Sequence, residues 1–237
     1  MRALIFDIDD TLYDLSEPFV RTFKKYYEGI YEIDVIQLFK YVRIYSDEVF
    51  EASESGEISM DDMYAYRIQK AFEKFQINIS REDALKFQHT YEKFQRKISI
   101  SNRMKNCLDH LVQTSVFTGL ISNGKYEHQM DKVKILELAK WFPKENIIIS
   151  EGCGYSKPDV KIFKYAEKMW NLDPKTTWYI GDTFQNDIEG PGRAGWHTVW
   201  YNHRKNEMPE DALKPDEIVT TEAELTELIM RLSHGEN

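Results

Sequence analysis

Five short apolar runs recur along the 237 residues: Ala3 to Phe6, Val116 to Ile121, Ile147 to Ile149, Thr177 to Ile180 and Thr198 to Tyr201. Each is rich in branched or aromatic side chains and bounded by polar residues, as expected of a buried strand. Helical patterns lie between the last four, such as Val160, Phe163, Ala166 and Met169-Trp170 after Pro158, a proline suited to a helix's first turn. Strands that alternate with helices fit one economical arrangement, a parallel sheet covered on both faces. The fold class predicted is therefore α/β, a doubly wound parallel sheet.

Residues 15 to 97 break the alternation. Tyr26, Tyr27, Ile30 and Tyr31, then Leu38, Phe39, Val42 and Tyr45, then Tyr64, Ile68, Phe72 and Phe75 recur near helical spacing with no convincing strand between them. Three or four helices are expected, with the aromatics as their core, and Asn78-Ile79-Ser80 reads as a capping signal. The length accommodates such a companion module. The chain is thus expected to divide into an α/β core, residues 1–14 and 98–237, and a small all-α domain, residues 15–97.

Charge and composition exclude several function classes. With 31 Lys and Arg against 40 Asp and Glu, a net charge of −9, the chain lacks the basic surplus that binding to a nucleic-acid backbone requires. Its two cysteines have no zinc-binding spacing and are too few for a disulfide scaffold. No apolar run approaches a membrane span, and with no basic region followed by a long apolar segment and cleavage site near Arg2 to Phe6, no leader is expected. A cytoplasmic protein, without a membrane or nucleic-acid partner, is the expectation.

The chemistry concentrates where strands end. Asp7, Asp9 and Asp10 follow the first strand, three carboxylates within four residues, which repel one another unless a cation or hydrogen-bond donors offset them. The fourth run repeats the arrangement with Gly181-Asp182, and Asp187 follows five residues later. In a parallel sheet the carboxyl ends of strands share one edge, and ligands bind there where strand order reverses. If the two strands are neighbours, Asp7 and Asp182 converge. Oxygen ligands without His or Cys suit Mg²⁺. Ser122-Asn123-Gly124 and Ser156-Lys157-Pro158-Asp159 add a hydroxyl, an amide and a lysine next to expected helix starts, where anions are favoured. Singly, the first reads as a turn and the second as a surface lysine; jointly, after successive strands, they point to phosphate chemistry.

These four segments resemble the four motifs of the haloacid dehalogenase superfamily, in its phosphatase branch, over residues 1–14 and about 100–205. Asp7-Ile8-Asp9-Asp10-Thr11 meets the first motif, Ser122 the second, Lys157 the third, and Gly181-Asp182 with Asp187 the fourth. The resemblance implies that Asp7 attacks phosphorus to form an aspartyl-phosphate and binds Mg²⁺ through its other oxygen. It implies that Asp9 protonates the leaving group, then activates water, and lends its carbonyl to the metal. Asp182 would be the remaining protein ligand. Asp187 would hold metal-bound water or orient Lys157. Ser122, Asn123 and Lys157 would bind the phosphoryl oxygens, with Thr11 in support; the role of Asn186 stays open. The helical insert corresponds to a cap that closes over the crevice and limits water and substrate size. An Mg²⁺-dependent phosphatase of a small phosphomonoester such as a nucleotide, sugar phosphate or phosphoglycolate is implied, as a monomer or homodimer, with loose similarity to bacterial nucleotidase-like members. A phosphomutase shares all four motifs and is the alternative. A non-catalytic regulatory module on the same fold is a further one, disfavoured because no ionisable motif residue is missing.

Overall fold

A computed structural model describes residues 2–49, 52, 53 and 55–235. Strand β1, Ala3–Phe6, is followed by the helices α1, Glu17–Tyr27; α2, Val35–Glu48; α3, Met60–Glu73; and α4, Arg81–Gln95. The chain then runs through α5, Asn102–Val112; β2, Phe117–Ser122; α6, Tyr126–Ile135; β3, Ile147–Ile149; α7, Val160–Trp170; and β4, Thr177–Gly181. It finishes with β5, His197–Tyr201; β6, Glu217–Val219; and α8, Glu222–Ser233. Contacts divide it into two compact units, residues 1–14 with 99–237 and residues 15–98.

In the first unit the six strands form one sheet in the order β3-β2-β1-β4-β5-β6, every neighbouring pair parallel. The chain fills one side of β1 with β2 and β3, then crosses to fill the other with β4, β5 and β6. The reversal of order falls beside β1. Register aligns the strand ends, with Phe6 opposite Leu120 on one side and Ile180 on the other. Successive strand residues face opposite ways. Ala3 and Ile5 pack against Ile162, Phe163, Ala166 and Trp170 of α7, while Phe6 meets Phe142 edge-on at 5.7 Å.

Two sequence expectations for this unit are corrected. Pro158 is not in the first turn of α7, because the Asp159 side chain accepts the Lys161 N–H (2.9 Å) and so takes the cap position one residue later. Met169 does not join the apolar stripe: Phe163, Ala166 and Trp170 are buried at helical spacing, which turns Met169 out to 51% exposure. Strand β6 has no counterpart among the sequence runs. It is three residues long at the sheet's edge, and its Ile218 is half exposed, so it carries little apolar signal.

The second unit is all helical among the described residues. Ser80 caps α4 through the Asp83 N–H (3.0 Å), as its sequence context predicts, and Asp34 and Ser59 cap α2 and α3. Phe19, Leu38, Phe39, Val42, Ile68, Phe72 and Phe87 are buried in one cluster, bordered by Tyr26, Tyr27, Tyr31, Tyr45 and Phe75. Ile30 departs from the expected core, being 65% exposed in the turn after α1. Among the described residues no helix of either unit is long and apolar enough to cross a membrane.

The Phe72 ring, fully buried, packs against the rings of Phe23, Tyr27, Tyr31 and Phe87. Phe72→Ala is expected to destabilise the helical unit by about 3–5 kcal/mol, read as a lowered midpoint in urea.

Candidate active site

Parallel pairing brings the ends of β1, β2 and β4 to one edge of the sheet. Asp7 follows β1 directly, and its N–H donates to the Ile180 carbonyl (2.9 Å), carrying the ladder one residue further. Ser122, fully buried, ends β2, and Asp182 follows β4. The carboxylates of Asp7, Asp182 and Asp187 converge, with an oxygen of each within 4.8 Å of the others.

Lys157 is the cation of this edge. The residue is 4% exposed, and its ammonium donates to Asp7 Oδ1 (2.7 Å), Asp187 Oδ1 (2.6 Å) and the Tyr179 hydroxyl (2.8 Å). Tyr179 in turn donates to the Ile121 carbonyl (2.8 Å), which leaves its oxygen to accept from the lysine. All three donors of the buried ammonium are therefore used. Burial disfavours the charged form of Lys157, but the charges of Asp187 and Asp7 outweigh it and hold the lysine well above its ordinary range.

Asp187 reaches this edge from a π-helical turn, Phe184–Glu189, and its second oxygen accepts the Thr183 N–H (2.9 Å). Such turns are uncommon and recur at functional sites. Gly181 makes the approach possible, since a Cβ there would lie 2.4 Å from Asp187 Cγ. Asn186 sits half-buried in the same turn.

The loop after β1 carries the other motif residues. Leu12 N–H closes onto the Ile8 carbonyl (3.1 Å), and Asp10 adopts φ +60°, a region that asparagine and aspartate enter more readily than most. Arg204 grips Asp10 with two parallel bonds (Nε to Oδ2 2.9 Å, Nη2 to Oδ1 2.6 Å) and also reaches Asp14 Oδ1 (2.5 Å). Thr11 is buried, and its hydroxyl has no hydrogen-bond partner among the described residues.

Asp9 lies apart from the Lys157 network. Both of its oxygens contact the Lys132 ammonium (2.7 and 2.6 Å), Tyr13 donates to Oδ1, and Gln129 Nε2 donates to Oδ2 (3.0 Å). Burial works to raise the Asp9 pKa, yet Lys132 together with the Tyr13 and Gln129 hydrogen bonds holds it below the usual carboxylate range. The Asn123 amide is committed too: Nδ2 donates to the Lys157 carbonyl (2.8 Å) and Oδ1 accepts the Lys157 N–H (2.9 Å). Its side chain pins the segment that carries the lysine.

Sequence reading named Asp7, Asp182, Asp187 and Lys157, which the structure brings together, and Ser122 at the adjoining strand end. It missed Tyr179, Gln129, Lys132, Tyr13 and Arg204. A faint signal existed for two of them, since Gln129 and Lys132 stand one turn apart on the helix that follows Ser122.

The donor set suits a hard divalent cation. Three carboxylates face one ammonium, every candidate ligand atom is oxygen, and the strain of excess negative charge is visible in the acids. Burial, with repulsion from Asp187 and Asp9, pushes Asp7 up to about 7 despite Lys157. Burial and the charges of Asp187 and Asp7 push Asp182 up to about 9.

Comparisons with known proteins agree with this geometry. The sequence model described as haloacid dehalogenase-like hydrolase matches residues 4–201. The chain belongs to that family. Among curated relatives, it is 33% identical to glyceraldehyde 3-phosphate phosphatase of Pyrococcus furiosus over 54% of this chain and 53% of that one. It is 35% identical to pyrimidine 5'-nucleotidase YjjG of Escherichia coli over 48% of this chain and 49% of that one. The matched regions thus span about half of each of these relatives. Among solved structures, a dehalogenase superposes with TM-score 0.71 at 17% identity, covering 96% of both chains, and the hydrolase YfnB of Bacillus subtilis with TM-score 0.65 at 21% identity, covering 96% of this chain and 98% of that one. These two likenesses concern the fold.

The raised acids make stability depend on pH in a definite direction. Free carboxylates titrate near about 4, so between there and the raised values the folded protein, freed of metal, holds more protons than the unfolded chain. Folding stability then falls as pH rises, for Asp7 until about 7 and for Asp182 until about 9. With chelator present, Asp182→Asn is expected to stabilise the protein at pH 8 by on the order of 1 kcal/mol and far less at pH 4.5. Thermal unfolding at the two pH values checks this, and an equal difference at both would contradict it.

Proposed function

We propose that this protein is a Mg²⁺-dependent phosphatase of small phosphomonoesters that works through an aspartyl-phosphate on Asp7. The observation that carries this reading is the buried lysine shared between Asp7 and Asp187 at the edge where Asp182 also converges. Phosphoryl transfer passes through a loose transition state with charge on its equatorial oxygens, so catalysis rests on positioning and cationic stabilisation. Lys157 supplies a fixed positive charge beside the nucleophile, and Ser122 a hydroxyl at the neighbouring strand end. Asn123 sets the lysine's position through its two bonds to the Lys157 backbone.

In the first half-reaction an Asp7 oxygen bonds to phosphorus as the bond to the leaving oxygen breaks, and Asp9 gives that oxygen its proton. In the second, water attacks phosphorus, Asp9 takes the water's proton, and the bond to Asp7 breaks with release of phosphate. Asp7, Asp182 and the Asp9 carbonyl are the residues assigned to Mg²⁺, with Asp187 in support. When bound, the metal supplies charge neutralisation at the phosphoryl group. Residues 15–97 are assigned the cap's role of discriminating among leaving groups.

Hydrolysis is preferred over transfer back to a sugar because the relatives reported above are named as a phosphatase and a nucleotidase. Those names also set the first substrates to try, a triose phosphate and a pyrimidine nucleoside monophosphate. Phosphate release from an aryl phosphate should require added Mg²⁺, vanish with chelator, and be abolished by Asp7→Asn. Asp9→Asn should lower turnover of alkyl phosphates by about 10²–10⁴. Undiminished hydrolysis by Asp7→Asn, or full activity in chelator, would overturn the reading.

A further inference from the structure

Asp9 is enclosed more completely than a proton-transferring carboxylate can stay. A carboxylate offers about four lone-pair positions, and here Oδ1 accepts from Lys132 and Tyr13 while Oδ2 accepts from Lys132 and Gln129. Proton exchange with a bound substrate requires one of these contacts to open. The contacts are unequal. Tyr13 and Gln129 each touch one oxygen, whereas the Lys132 ammonium spans both, at 2.7 and 2.6 Å. Losing one single-oxygen contact frees a lone pair and leaves Lys132 still holding the group.

The holders are themselves held. Gln129 is 4% exposed, and its Nε2 is shared between Asp9 Oδ2 and the Asn123 carbonyl (2.9 Å). Both acceptors demand N–H donors, which settles the amide's orientation and leaves Oε1 buried without a partner among the described residues. Gly124 packs directly on this side chain, since a Cβ there would lie 2.9 Å from Nε2. Lys132 stands one helical turn further along α6, with its side chain only 13% exposed. Helix α6 therefore ties Asp9 to the Ser122-Asn123-Gly124 segment at the end of β2.

We propose that Lys132, braced beside Gln129 on α6, is the positioning residue for Asp9: its ammonium keeps the Asp9 carboxylate aimed through both half-reactions while a weaker contact gives way to the substrate. This rests on the proposed role of Asp9 as acid and base. Lys132 touches neither phosphoryl group nor nucleophile in this assignment, so its effect must pass through Asp9.

That restriction makes the test sharp. The quotient kcat/KM reports only steps up to departure of the leaving group, which needs a proton from Asp9 when the leaving group is an alkoxide and hardly any when it is an acidic phenol. Lys132→Gln is expected to lower kcat/KM for an alkyl phosphate about tenfold or more, while changing that for p-nitrophenyl phosphate less than about threefold. The ratio of the two substrates is internal to each preparation and does not depend on the fraction folded. Lys132→Arg, which keeps the charge, should recover most of the alkyl-phosphate activity. In an Asp9→Asn background, Lys132→Gln should add no further loss. Should Lys132→Gln fail to fold, Gln129→Leu carries the same comparison with a smaller expected change in the ratio.

Equal losses on both substrates, no loss, an arginine no better than the glutamine, or an undiminished further loss in the Asp9→Asn background would each overturn the assignment. If Asp9→Asn were itself silent on alkyl phosphates, the fault would lie instead with the acid and base role given to Asp9.

Discussion

The buried ammonium of Lys157 is the contact on which the α/β unit's functional edge depends. Two carboxylates and a tyrosine hydroxyl occupy its three donors, and removing it would leave Asp7 and Asp187 buried without their cation. Breaking a buried pair from one side is strongly destabilising, whereas the intact pair adds little net stability. Such an arrangement is better understood as a device for holding charge at a chosen place than as a source of stability. Its consequences spread outward: Tyr179 must donate to Ile121 to remain an acceptor, and Asn123 must grip the Lys157 backbone.

Backbone geometry makes that contact attainable. The π-helical turn after β4 swings Asp187 back against the strand it has just left, and only a residue without a Cβ leaves space for it at position 181. On the other flank, Arg204 clasps Asp10 in a left-handed conformation and shapes the loop that follows β1. The acids are therefore kept close by structure on all sides, against their repulsion. The upward displacement of Asp7 and Asp182 comes first from burial and then from the neighbouring acids.

Asp9 obeys a different logic from Asp7 although only one residue separates them. Burial pushes Asp7 up, against a lysine that it shares with another acid, whereas Asp9 has a lysine, a tyrosine and an amide of its own that outweigh burial and hold it down. Two carboxylates of one loop are thus given distinct environments by elements distant in sequence, α6 for one and the loop before α7 for the other. Where two acids are driven apart, the raised one is usually the proton carrier; here, without a bound cation, the order of Asp7 and Asp9 runs the other way.

By itself the sequence determined the strand and helix alternation, and with it a parallel sheet whose strand ends carry Asp7, Ser122 and Asp182; these follow from local apolar patterning and the requirement that a parallel sheet be covered on both faces. It also determined much of the aromatic core of the helical unit, because the period of a helix is legible over a few turns, but Ile30 is exposed, Tyr64 stands outside the core cluster, and the buried Phe19, Phe23, Phe87 and Tyr91 were not read from it. Strand β6 escaped because a three-residue edge strand buries too little to leave a pattern. Tertiary structure alone decided which charged side chains meet. The one-turn spacing of Gln129 and Lys132 does not say that Lys132 meets Asp9, nothing marks Arg204 as the partner of Asp10, both more than a hundred residues away, and nothing near Asn123 shows that its amide is spent on the Lys157 backbone. Long polar side chains reach their partners by packing at a distance in sequence, which local periodicity does not encode.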